Sequence, residues 1–233
     1  MHVWVVYWAN CLNYDYIYDA EIPENSDYEE VAHGKTRCSS VVLTNFRHIE
    51  DHPMWEDKDL CIKAVSTYGR SLEYVKHPTH KMCKIAVRQQ PQALKFVPPA
   101  LQTDRLCLAV VAKYGYCLQV VARPTPEICE RAVRQTPFAL RWTPDAMQTE
   151  AMCANAVARE PSCFKYAKCQ TNALCMLAMR LDPRHALLLI QEPTLAMYEM
   201  AIDADKDLQY QVPNKYLAHI RKRINANLYI TPN

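Results

Sequence analysis

Cysteine, with eleven copies, and histidine, with eight, are the residue types in this 233-residue chain best suited to chemistry. Thiolates and imidazoles bind zinc, thiols pair as disulfides, and both act in catalysis. Two spacings could form zinc sets: Cys38 with His48 and His52, and His77 and His80 with Cys83. Neither supplies the paired C-x2-C half-site of a structural zinc centre, so the expected role of these histidines is polar surface. Catalytic signatures are equally thin. There is no GxSxG or HExxH, and three glycines leave no material for a phosphate-cradling loop or a dinucleotide fingerprint. Glu29-Glu30 and the Asp203/Asp205 pair fall in an acidic loop and at a helix end, where carboxylates are ordinarily solvated. The expectation is a non-enzymatic protein with no cofactor and no metal.

Most of the cysteines have a different organising principle. Cys61, Cys83, Cys107, Cys129, Cys153 and Cys175 stand 22, 24, 22, 24 and 22 residues apart, and Met197 lies 22 beyond the last, where a seventh would fall. Self-similarity at such a period is the mark of stacked supersecondary units. The third and fourth residues after the column read Ala64-Val65, Ala86-Val87, Val110-Val111, Ala132-Val133, Ala156-Val157, Ala178-Met179 and Met200-Ala201. With the cysteine they make one apolar face of a short helix. The eighth position holds Gly69, Pro91, Gly115, Pro137, Pro161, Pro183 and Asp205, a break at which proline ends the helix and glycine is expected to supply a positive φ. A second, shorter helix follows. It carries an apolar column (Leu72, Leu94, Leu118, Leu140, Phe164, Ala186, Leu208) and an aromatic one (Tyr74, Phe96, Trp142, Tyr166, Tyr210), the latter expected in the core. Thr79, Thr103, Thr125, Thr149 and Thr194 are expected to cap the next helix.

The fold class read from this pattern is mainly α: an α-solenoid of about seven short helical hairpins with a small N-terminal β appendage. Repeats from Cys83 and Cys129 share AVRQxPxAL and a closing Gln-Thr, whereas those from Cys61 and Cys107 share a Tyr-Gly turn, so the full period is 46 residues. The pattern C-x2-A-V-x3-G/P-x2-L-x-ϕ-V, followed by proline and threonine, resembles the short helical repeats known as domain of unknown function 4116 over residues 59 to 213. That resemblance implies a virus-encoded or bacterial protein and no established activity.

Three segments follow: an acidic β appendage at 1–58, the array at 59–213, and a basic capping helix and tail at 214–233. In the first, Val3–Trp8, Tyr14–Tyr18 and Val41–Leu43 read as strands around an acidic loop at 19–37, and an exposed edge of this sheet could mediate self-association. Residues 1–58 carry four basic against eleven acidic side chains (net −7) and residues 59–233 carry 23 against 14 (net +9). An array of that sign suits an anionic partner. Within it Arg88, Arg134 and Arg180 recur every 46 residues, Lys95 and Arg141 follow seven residues after the first two, and Arg159 and Lys165 extend the series. Three readings stay open for these cations: a solvated face paired with acids such as Glu130 or Asp182, a groove for an acidic protein, or a nucleic-acid backbone site. A minor capsid or assembly role is a further alternative.

Successive helix axes in such an array lie roughly 10 Å apart, beyond the ~7 Å Cα separation a disulfide tolerates. The column is therefore read as reduced core thiols in an intracellular, cytoplasmic protein, in the host cell or the virion if viral. Cys11, Cys38, Cys117, Cys163 and Cys169 lie off the column and are expected to be more exposed. Val3–Ala9 is too short, and lacks the basic flank, for a signal peptide, and no run approaches the roughly 18 apolar residues of a membrane helix.

Overall fold

Every column cysteine falls on the fourth residue of a short α-helix. These are α1 (Lys58–Thr67), α2 (His80–Gln89), α3 (Asp104–Val111), α4 (Pro126–Gln135), α5 (Glu150–Arg159) and α6 (Asn172–Leu181). In the computed structural model the backbone is described for residues 16–21, 25–31, 35–38 and 42–228, and side chains for 25–27 and 48–223. That part of the protein is mainly helical. It divides into two compact units, Met1–Val97 and Pro98–Asn233, which part at a linker between repeats.

Most helices start where the threonines direct, although Thr194 makes no side-chain capping bond to the helix it precedes. Thr79, Thr103, Thr125 and Thr149 each accept a hydrogen bond on the side-chain oxygen from the backbone N–H three residues on, at 3.2–3.4 Å. Thr171 does the same for α6. Such a cap satisfies a donor that the first helical turn leaves unpaired. Three or four residues per helix are then buried: Cys61, Ala64 and Val65 in α1, Ile128, Cys129, Ala132 and Val133 in α4, and the latter's equivalents Met152, Cys153, Ala156 and Val157 in α5. Cysteine, alanine and valine are small, which allows close packing of neighbouring backbones.

The second helix of most repeats is 3-10, not α. The segments are Gly69–Tyr74, Pro91–Phe96, Gly115–Val120, Pro137–Trp142 and Pro161–Tyr166. In each, the third and fourth residues are buried, as with Ala139-Leu140 and Cys163-Phe164. This corrects the expectation for Cys117 and Cys163, which are fully buried because they occupy the small third position filled elsewhere by Ser71, Ala93 and Ala139. The aromatic column is corrected too. Tyr74, Phe96, Trp142 and Tyr166, each the sixth residue of its 3-10 segment, are half-buried at the rim, and Tyr210 is 83% exposed.

Glycine serves this break by its size. The residues before it, Tyr68 and Tyr114, leave the α-helix extended at φ −144° and −138°, and neither Gly69 nor Gly115 has a positive φ. A Cβ on Gly69 would collide with the Ala86 carbonyl oxygen and lie 2.9 Å from Gln89 Oε1; on Gly115 it would collide with the Ala132 carbonyl and lie 2.8 Å from Gln135 Oε1. The following repeat's helix end occupies the space.

In the sixth repeat the second helix is α7 (Pro183–Leu189), seven residues long, closed by Ile190 N–H donating to the Ala186 carbonyl four residues back. The added residue shifts the register. In α8 (Leu195–Ala204) the fourth position is therefore Tyr198, not Met197; Met197 takes the place of Met152 and Leu174, and both it and Tyr198 are buried. A 3-10 segment, Lys206–Gln211, and α9 (Asn214–Leu228) complete the described chain. α9 lies on α8: Ile220 is buried, Tyr216 stacks at 5.8 Å from Tyr198, Arg223 pairs with Asp203 at 2.5 Å and His219 meets Glu199 at 3.1 Å. Part of its basic face is thus spent on α8.

Ahead of α1, two 3-10 turns (Ile49–Asp51 and Pro53–Glu56) bring Trp55 into the first repeat, where its indole N–H donates to the Ile49 carbonyl at 2.6 Å and its ring lies 5.4 Å from Tyr74. Four strands precede them. β1 (Tyr16–Glu21) pairs antiparallel with β4 (Val42–His48), and β2 (Tyr28–Val31) with β3 (Lys35–Cys38), so the stretch read as one acidic loop carries a hairpin. The strand expected at Val3–Trp8 lies outside the described residues, as do Cys11 and the Cys38 side chain.

Candidate functional site

Glutamine side chains join one repeat to the next. Gln135, the last residue of α4, accepts from the Gly115 N–H at 2.7 Å, and Gln89 accepts from the Gly69 N–H at 2.6 Å while donating to the Thr67 carbonyl at 3.1 Å. A second set sits just before the threonine caps. Gln148 Nε2 donates to the Tyr166 carbonyl at 3.1 Å and its Oε1 accepts from the Lys168 N–H at 2.9 Å. Gln102 bridges Val120 and Ala122 in the same way, and Gln170 bridges Leu189 and Gln191. Each primary amide offers a donor and an acceptor side by side, which matches a carbonyl and an N–H two residues apart on an extended linker. These bonds hold the surface-bearing 3-10 segments at a set spacing.

On that frame the predicted cations separate into groups. Arg88, Arg134, Arg159 and Arg180 all lie in the last turns of α2, α4, α5 and α6, where a positive charge opposes the negative end of the helix dipole. Arg134 is bound to Glu130 at 2.6 Å, the internal pairing that the solvated-face reading anticipated. Arg159 Nη1 donates to the Arg134 carbonyl at 2.6 Å, so it caps the neighbouring helix. Arg88 and Arg180 are exposed and make no ion pair among the described residues.

Lys95, Arg141 and Lys165 occupy the last turns of the 3-10 segments instead, each immediately before an aromatic residue. Lys95 Nζ lies 4.3 Å from the Phe96 ring centre. In the 98–233 unit, Tyr166 receives two cations, Lys165 Nζ at 4.9 Å and Arg141 Cζ at 5.9 Å, and Phe138 meets it edge-on at 6.5 Å. All three cations are exposed, and Phe138 is 41% exposed. The structure thus brings Arg141 and Lys165 together across two repeats. Phe138 escapes sequence reasoning because it stands in no column, but the recurring dipeptides Lys95-Phe96, Arg141-Trp142 and Lys165-Tyr166 carry a readable signal.

Elsewhere the surface offers less. A groove of about 410 Å³ runs over Leu108, Ala109 and Ala112 with Glu127, Glu130, Arg131 and Arg134 at its rim, where opposite charges neutralise one another. His52, expected at the surface, is instead buried, and its Nδ1 accepts from the Met54 N–H at 3.1 Å; His48 Nδ1 lies 3.5 Å from the Glu50 N–H, so both rings act as local caps. Among the described residues no three His, Cys, Asp or Glu side chains converge on a point that could hold a metal, and no helix is long and apolar enough to cross a membrane. Comparison of the chain with protein-family models, curated proteins and solved structures finds no match.

Proposed function

We propose that this chain is a non-enzymatic helical-repeat interaction module, its repeats stacked as a solenoid, that docks an acidic protein surface through Arg141, Lys165 and Phe138. The observation that carries the reading is the Tyr166 ring with two cations over it, one from each of two successive repeats. A guanidinium and an ammonium resting on one ring keep their donors free for carboxylates, and the ring limits their conformational freedom, which lowers the ordering cost of binding. Lys95 on Phe96 repeats the arrangement in the other compact unit, and Arg88 and Arg180 add unpaired charge. Resemblance to the repeats of domain of unknown function 4116 supports a viral, intracellular setting, and the N-terminal strands supply an edge for self-association.

A nucleic-acid partner is the second reading, favoured by half-exposed aromatic rings beside cations. Against it, the Tyr166 face that a base would stack on already carries cations. The test is capture of partners from the native cell with the full chain and with the Arg141→Glu/Lys165→Glu variant, beside filter binding of single- and double-stranded nucleic acid at two salt concentrations. Loss of an acidic protein partner in the variant supports the docking reading. Unchanged capture sinks it, and salt-sensitive retention of nucleic acid moves the function to the second reading.

A further inference from the structure

Cys169 lies in the linker between the 3-10 segment Pro161–Tyr166 and α6, and its Sγ is 3.2 Å from Sγ of Cys153 inside α5. No other two thiols among the described residues make such a contact. The two differ in access: Cys153 is fully buried, whereas Cys169 is half-exposed. Their surroundings are the glutamine bridge. Cys153 Sγ lies 3.6 Å from Gln148 Oε1, the oxygen that also accepts the Lys168 N–H, and the next residue after Cys169 is Gln170, which bridges onward to Leu189 and Gln191.

We propose that Cys153 and Cys169 form a peroxide-sensitive modification site, a dithiol that closes to a disulfide between α5 and the linker that leads into α6. The Cys169 thiolate attacks one oxygen of hydrogen peroxide, the O–O bond breaks, and hydroxide leaves as water after taking a proton, giving a sulfenic acid on Cys169. The Cys153 sulfur then attacks the Cys169 sulfur, the S–S bond forms, and the sulfenic oxygen departs as water with the Cys153 proton. Two thiols and one peroxide give one disulfide and two waters. Only about 1 Å of further approach is needed to reach the bonded S–S length near 2.05 Å. Access assigns the order: peroxide reaches Cys169 first, and Cys153, shielded and held protonated by burial, resolves it. The bond would make covalent a junction that Gln148 holds by hydrogen bonds, so oxidation stiffens the spacing of the repeats on either side.

The full-length protein is exposed to a small excess of hydrogen peroxide, its remaining thiols are alkylated, and the chain is cleaved with trypsin without reduction. Cleavage after Arg141, Arg159, Lys168 and Arg180 puts the two cysteines on separate peptides, 142–159 and 169–180. A linked pair lighter by two hydrogens than the separate peptides, with fragment ions placing the bond on Cys169 and not Cys175, is expected, and dithiothreitol should restore both thiols. In Cys153→Ser, Cys169 should stop at the sulfenic acid and be captured by a dimedone probe. Recovery of Cys153 and Cys169 as separately alkylated residues after peroxide, or linkage through Cys175, overturns the proposal. The wild-type peptide map decides the matter even if the serine variant fails to fold.

Discussion

Glycine 115 shows how one side chain's absence ties two repeats together. An added methyl must displace the Ala132 carbonyl and the Gln135 amide, so Gly115→Ala should destabilise the protein by about 1–3 kcal/mol, the usual cost of overpacking. In a urea-unfolding double-mutant cycle with Gln135→Ala, the two costs should fall short of adding, because the second change removes one of the obstructing groups. Additive costs would mean that Gln135 does not set the requirement for glycine. The buried thiols make a second residue-scale prediction. Burial pushes Cys83, Cys117 and Cys163 up to about 11 and Cys153 up to about 12, against an ordinary 9.0. Above pH 9 the unfolded chain loses these protons while the folded one retains them, so the folded state binds more protons and stability must fall as pH rises from 9 toward 12. Melting temperatures measured from pH 7.5 to 10.5 should hold level to about pH 9 and then drop. A rise over that upper range would contradict the buried, protonated thiols.

At the scale of elements, the repeat is an α-helix of 8 to 10 residues and a six-residue 3-10 segment, neither of which is long enough to be stable alone. The caps and the glutamine bridges supply local definition. Gln148 contacts Tyr166 and Lys168 in the next repeat and also donates to the Thr143 carbonyl at 3.3 Å. Removing it strands a linker N–H and a carbonyl, so Gln148→Ala should cost about 1–3 kcal/mol. Gln119 is exposed and makes no side-chain hydrogen bond among the described residues, and Gln119→Ala should be silent in the same denaturation experiment. Equal effects of the two would show that the bridge adds no stability. The replacement of 3-10 by α in α7 carries the same lesson. One extra residue there is absorbed by a change of hydrogen-bond span from three to four, and the next helix keeps its buried face by moving its column to Tyr198.

For the molecule as a whole, charge is a small contributor to folding. Ion pairs such as Arg134–Glu130, Lys76–Glu56 and Arg70–Glu73 are exposed, and solvent screening leaves pairs of this kind little stabilising effect. Raising sodium chloride from about 0.1 to about 1 M shortens the screening length roughly threefold and should therefore move the melting temperature by no more than a few degrees. Partner capture through Arg141 and Lys165 should fall steeply over the same range. A large loss of stability with salt would mean that the ion pairs, not the apolar columns, hold the repeats.

Much of this organisation was legible in the residues themselves. The cysteine spacing, the small apolar pairs and the threonines located the α-helices and their caps, because helix periodicity and capping depend on near neighbours in the chain. The cations were legible as a series, and Glu130 was visible as a partner for Arg134 at helical spacing. What the sequence could not decide depends on atoms some twenty residues away. Only the tertiary structure shows that Gly69 and Gly115 yield space to Gln89 and Gln135, that the aromatic column sits at the rim, that Arg141 and Lys165 share Tyr166, and that Cys169 reaches Cys153. A linear period states which residues are equivalent; which of them touch is settled by the packing of one repeat on the next.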